Sequence, residues 1–126
     1  MSKEDKIFDL EERLIDFAVR IIRTTESLPK TKVGNYIAGQ LIRSGTSPAP
    51  NYDEAQSAES RSDFIHKMKI SLKELRETRI WLIMIVRAKL IKPIHKLDPL
   101  IDENDQLISI FVTSIKTAKQ NKLKTS

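Results

Sequence analysis

The 126-residue sequence predicts an all-α fold, an antiparallel up-down-up-down four-helix bundle. Three observations lead there. Glycines number only 3, and Leu, Ile, Lys, Glu and Arg are plentiful, a balance that favours helix. Apolar residues recur at steps of three and four along four stretches, the period of one helix face. The connections between those stretches are short, and short links set neighbouring helices antiparallel.

Helix one is expected near residues 4–26, where Ile7, Leu10, Leu14, Phe17 and Ile21 form one stripe and Phe8, Ile15, Ala18 and Ile22 a second beside it. Pro29 closes it, because the residue before a proline resists helical geometry. Thr31 is a plausible N-cap for helix two, which carries Val33, Ile37 and Leu41. This helix meets Gly45, Pro48 and Pro50 in the stretch RSGTSPAPNYDE. With Ser47 as a fresh N-cap and Pro48 at the first helical position, it is expected to be kinked or interrupted near 44–47 and to resume to about Ala58. Ser60 followed by Asp63 resembles a capping box and opens helix three, about 62–90. Its second half is apolar all round (Ile80, Trp81, Leu82, Ile83, Met84, Ile85, Val86), which in so small a chain points to burial by another subunit. Ile80, Trp81, Ile83 and Met84 are the expected oligomer interface. Asp98-Pro99 opens helix four, with Leu100, Ile101, Leu107, Ile108, Phe111, Ile115 and Ala118 on its apolar face. The bundle domain is set at 1–120 and a basic, disordered tail at 121–126.

There is no cysteine, which excludes disulfides and thiolate chemistry. The charged N-terminus has no apolar core of a signal peptide, and the longest apolar run, Ile80–Val86, falls far short of the roughly 20 residues of a membrane helix. No membrane association is expected, and the chain reads as cytoplasmic. The net charge of +5 is unevenly placed. Lys67 to Lys92 holds eight basic residues against Glu74 and Glu77, and the segment from Lys116 onward holds four lysines and no acid. Such patches favour polyanions, although a solvated face and tail would explain the same charges without a partner. Lys67, Lys69, Lys73, Arg76, Lys116, Lys119 and Lys122 are the candidate phosphate contacts. No aromatic residues interleave them, so sequence-specific reading of single strands is not expected.

Candidates for chemistry are few. His66 and His95 lie on different elements without an acidic partner at metal spacing, so no metal is expected. No phosphate-binding Gly-rich loop or nucleophile elbow exists, and Asp102, Glu103 and Asp105 suit the first turn of a helix better than acid–base work. Neither a cofactor nor a small-molecule substrate is implied. If helices two and three form a hairpin turning near residue 60, Arg43 comes level with Glu74 or Glu77, Ser47 approaches Glu74, and Asn51 approaches Ser71. Arg43, Ser47, Asn51, Glu54, Ser71 and Glu74 are therefore expected to form a structural polar network, the alternative being an exposed polar face.

Gln40, Leu41, Arg43, Ser44, Ser47, Asn51 and Glu54, followed by Phe64, Ser71, Glu74, Leu75 and Thr78, resemble the signature of the bacterial 23S rRNA intervening-sequence proteins. The resemblance spans roughly residues 5–118, with Ala55 standing where that pattern has glycine. It implies an up-down bundle assembled into homopentameric rings and no enzymatic activity. A related branch, the accessory variability proteins of diversity-generating retroelements, forms basic pentamers that bind nucleic acid and a reverse transcriptase. The expectation is thus a non-enzymatic, oligomeric, pentamer-forming RNA- or nucleic-acid-binding protein. The alternative is a structural or adaptor ring that binds a protein partner instead.

Overall fold

The computed structural model describes residues 2–125, with side chains at 2, 5 and 9–121. All of its regular structure is helical: α1 (Lys3–Glu26), α2 (Lys32–Thr46), α3 (Pro48–Gln56), α4 (Arg61–Arg87) and α5 (Asp98–Thr125). The expected helix two is divided into α2 and α3, joined through the single residue Ser47. A disordered tail is expected at 121–126. Its backbone continues α5 as far as Thr125, and its side chains from Lys122 lie outside the described residues.

Local chemistry accounts for most of the boundaries. Ser2 and Asp5 cap α1 reciprocally, a capping box that satisfies two of the free N–H groups of the first turn. Thr31 accepts from the Gly34 amide at 3.1 Å, and Ser60 accepts from the Asp63 amide at 3.0 Å. Ser47 departs from expectation, because it is not a side-chain cap. Its backbone is helical (φ −70°, ψ −28°) and its hydroxyl makes no cap bond. The reason lies three residues on: the position whose N–H a capping serine normally takes is Pro50, which has none. The chain instead passes straight from one helix into the next. The Ser47 amide donates to the Arg43 carbonyl, and the Asn51 amide donates to the Ser47 carbonyl.

The core is built from one stripe of each helix, including Leu14, Phe17 and Ile21 of α1, Leu41 of α2, Leu75 and Leu82 of α4, and Leu107 and Phe111 of α5. Tyr52 of α3 meets Phe111 edge-on, with centroids 5.9 Å apart and an interplanar angle of 71°. Facing pairs fix the register of the central hairpin. Ser44, Pro48 and Glu54 advance along α2 and α3 while their partners Thr78, Ser71 and Lys67 retreat along α4.

Within the single chain the apolar end of α4 is buried on one side and open on the other. Leu82 and Ile85 are fully buried, but Ile80 is 50% and Met84 45% exposed in the single chain.

Candidate functional site

The outer row of α4 carries Lys69, Lys73 and Arg76 at spacings of four and three, so they stand one above another on a single face. At about 1.5 Å per residue that row is roughly 10 Å long. Lys116 and Lys119, three apart on α5, form a second row opposite. Between the rows runs a groove of about 570 Å³ lined by these five cations and by Leu72, Val112 and Ile115. Among the described residues no acidic side chain lines it. None of the five cations takes part in a salt bridge among the described residues, whereas Arg13, Arg43, Lys67 and Arg79 all do.

The local field is strongly positive. Lys119 lies within hydrogen-bonding reach of Lys69, and the charge of Lys69 holds the Lys119 ammonium below the usual lysine range. Two ammonium groups held this close repel unless an anion sits between them. The groove therefore has the electrostatics of an anion site with an apolar floor.

Of the seven expected phosphate contacts, these five converge. Lys67 does not: it turns to α3 and pairs with Glu54 at 3.1 Å. The side chain of Lys122 lies outside the described residues. The floor is not legible in the sequence, where Ile115 belongs to the apolar face of helix four and Val112 to no face at all. Its only signal was the apolar residues flanked by lysines on both helices.

The expected polar network resolves into two layers. The outer one is ionic: Arg43 donates to Glu74 at 3.0 Å and also to Glu77. Glu77 in turn accepts from the Trp81 indole at 3.3 Å. The inner layer is neutral and buried. The Thr78 hydroxyl donates to the Ser44 hydroxyl at 2.9 Å, and the Ser71 hydroxyl donates to the Pro48 carbonyl at 3.3 Å. A backbone carbonyl has two lone pairs, so the Pro48 carbonyl can accept this hydroxyl at the start of α3. The Asn51 amide goes to the Ser47 carbonyl at 2.9 Å rather than to Ser71, and the Ser47 hydroxyl has no partner, so neither approach expected of them forms.

Arg43 is 51% and Glu74 14% exposed at the side chain, so the pair is half-solvated rather than buried. Arg43→Ala is therefore expected to cost about 1 kcal/mol, the upper range for such pairs. In a thermal melt that is a drop of roughly 4 °C; an unchanged melting temperature would show the network to be ornamental.

A second cleft, of about 830 Å³, opens between α1, α3, α4 and α5, with Tyr52 and Met68 at its base. Burial, and secondarily the charge of Glu11, push the Tyr52 hydroxyl up to about 12, so it remains a neutral phenol at ordinary pH. Its rim mixes Asp9 and Glu59 with Arg13 and Arg61, and Arg13 is engaged by Glu103 at 2.7 Å. It offers no net charge to a ligand. Among the described residues no group of His, Cys, Asp or Glu could hold a metal ion, and no helix is long and apolar enough to cross a membrane.

A family model described as 23S rRNA-intervening sequence protein matches residues 8–112. That span includes the α4 wall of the groove and ends before Lys116 and Lys119. Among solved structures, a protein with unknown function from the S23 ribosomal protein family of Bacteroides thetaiotaomicron superposes with a TM-score of 0.79. It is 32% identical, over 85% of this chain and 98% of that one. No curated protein matches the chain.

Proposed function

Because the chain belongs to the 23S rRNA-intervening sequence protein family, we propose that it is a non-enzymatic, oligomeric RNA-binding protein of the cytoplasm that grips the phosphate backbone in the α4/α5 groove. One observation carries this reading: five cations from two helices, with no acid among them, line a single groove. A 10 Å row spans on the order of three phosphates at the 3.4 Å rise of one strand. Among the described residues no aromatic side chain lines the groove to stack on bases. Binding should accordingly tolerate sequence and weaken steeply with salt. Labelled RNA titrated at low and at raised salt tests this, and failure to bind at low salt rejects it. The apolar floor favours a second reading, an acidic amphipathic helix of a protein partner; such a ligand would bind where RNA does not.

The proposed assembly is a homopentamer of antiparallel up-down-up-down bundles. Its seam would use the apolar end of α4, where Ile80 and Met84 are exposed and Trp81 and Ile83 are half-buried beside them. Tyr36 extends the patch, standing edge-on to Trp81 with centroids 6.2 Å apart. A contiguous apolar patch of this kind on a small chain is more often a contact than a solvated surface. Ile80→Glu with Met84→Glu is expected to yield a monomer by sedimentation, with the helical signal of circular dichroism retained. An unchanged mass would exclude this seam.

A further inference from the structure

The α4/α5 groove also prepares a reaction on one of its own lysines. Lys69 and Lys119 approach from opposite helices to within hydrogen-bonding reach. An ammonium has three donors and no acceptor, so a hydrogen bond between the two forms only when one of them has given up its proton and offers a lone pair. The charge of Lys69, and then the hydrogen bond itself, favour the neutral form of Lys119. The other groups facing it push the same way. Lys73 and Arg76 line the groove from α4 and Lys116 from α5, with no acid beside them among the described residues. His66, one turn before Lys69 on the same side of α4, carries no negative charge at any pH. Lys119 is exposed, so a small molecule reaches it directly from solvent. The arrangement is a nucleophilic amine at the edge of an anion site.

We propose that the groove is an acylation site, in which its other cations hold an acyl phosphate and the Lys119 Nζ takes the acyl group. The Nζ lone pair forms the new N–C bond to the carbonyl carbon. The bond from that carbon to the bridging phosphate oxygen breaks, and its electron pair leaves with the phosphate. The phosphate also takes the proton that Nζ loses, so the products are an amide and inorganic hydrogen phosphate, with nothing oxidised or reduced. Lys73, Arg76 and Lys116 stabilise the negative charge that builds on the leaving group. The modification itself requires no RNA. Its consequence rests on the nucleic-acid reading above, because an amide at Lys119 removes one of the five groove charges. RNA affinity should then fall by about four- to five-fold at physiological salt, the contribution of one phosphate contact.

Acetyl phosphate is the probe. The full chain is incubated with it, and acetyl occupancy at each lysine is followed by mass spectrometry. Lys119 should be acetylated several-fold faster than Lys30 and Lys92, which are exposed and lie outside the groove. Lys69→Met should bring the Lys119 rate down to theirs, while Lys67→Met should leave it as it is. Both positions are on the surface side of α4, so folding should tolerate the changes. As pH is lowered, reaction at Lys119 should persist below the pH at which Lys30 ceases to react, since its neutral form survives to lower pH. Excess inorganic phosphate should suppress acetylation at Lys119 and leave Lys30 unaffected. Uniform occupancy, a Lys119 rate indifferent to Lys69→Met, or one indifferent to phosphate overturns the proposal. Selective acetylation in a chain that binds no RNA in either form upholds the acylation site and rejects the nucleic-acid reading. Selective acetylation with unchanged RNA affinity upholds the acylation site and counts against RNA in this groove.

Discussion

A chain carrying Lys73→Glu and Lys116→Glu together is expected to lose RNA binding by at least about two orders of magnitude at physiological salt. The argument rests on counterion release. Each phosphate neutralised contributes about 0.9 to the slope of log affinity against log salt on a duplex and about 0.7 on a single strand. Five contacts give a slope of roughly 3.5 to 4.5, so wild-type affinity should fall by about two to three decades between 50 and 200 mM salt. The double variant leaves three cations and plants two carboxylates within the groove. Its slope should drop to about 2 or below, and its affinity should fall at every salt concentration. Lys67→Glu is the matched control. Lys67 is engaged by Glu54 outside the groove, so its reversal should reduce affinity far less. Equal losses from Lys67→Glu and from either groove lysine would mean that bulk charge, not this groove, holds the ligand.

The second large effect concerns two glycines six residues apart on α2, for which opposite outcomes are expected. A Cβ built on Gly39 meets nothing within 4 Å. Gly39→Ala should therefore stabilise the fold by up to about 1 kcal/mol, the helix propensity difference. A Cβ built on Gly45 would lie 2.7 Å from both Cγ1 and Cγ2 of Ile21 and 3.1 Å from its Cβ. Ile21 is fully buried, and a β-branched residue in a helix has essentially one rotamer, so the side chain cannot swing aside. The two helices must separate instead, at a cost of roughly 1–3 kcal/mol for overpacking, more than the propensity gain. Gly45→Ala should thus lower the melting temperature by several degrees while Gly39→Ala raises it. Pairing Gly45→Ala with Ile21→Ala should show a favourable coupling, since the second change opens the space the first one needs. Stabilisation by Gly45→Ala alone would refute the close crossing.

These residues also mark how far sequence reasoning reaches. Gly45, Pro48 and Pro50 together read as punctuation, and the chain does change helices there. Yet Gly45 is neither a turn nor a cap. It is helical, and its missing side chain lets α1 approach, a fact about a neighbour 24 residues away in sequence. Local grammar makes Ser47 a cap, but the third position is Pro50, which has no N–H to donate. The Arg43–Glu74 and Arg43–Glu77 pairs followed from the hairpin register. Their half-solvated character did not, because exposure depends on what else packs over them. Lys67 shows the same limit, since its charge was visible and its engagement by Glu54 was not.

The sequence by itself determined the helices, their approximate bounds, the family signature and the rows Lys69–Lys73–Arg76 and Lys116–Lys119. All of these are local or periodic, written at steps of three and four. Only the tertiary structure decided that the two rows face one another across Leu72, Val112 and Ile115, and that Ile80 and Met84 are left uncovered in the single chain. Periodicity fixes which residues share a face of one helix. The rotation of that helix about its axis, set by how all the buried side chains fill the core together, decides what each face meets.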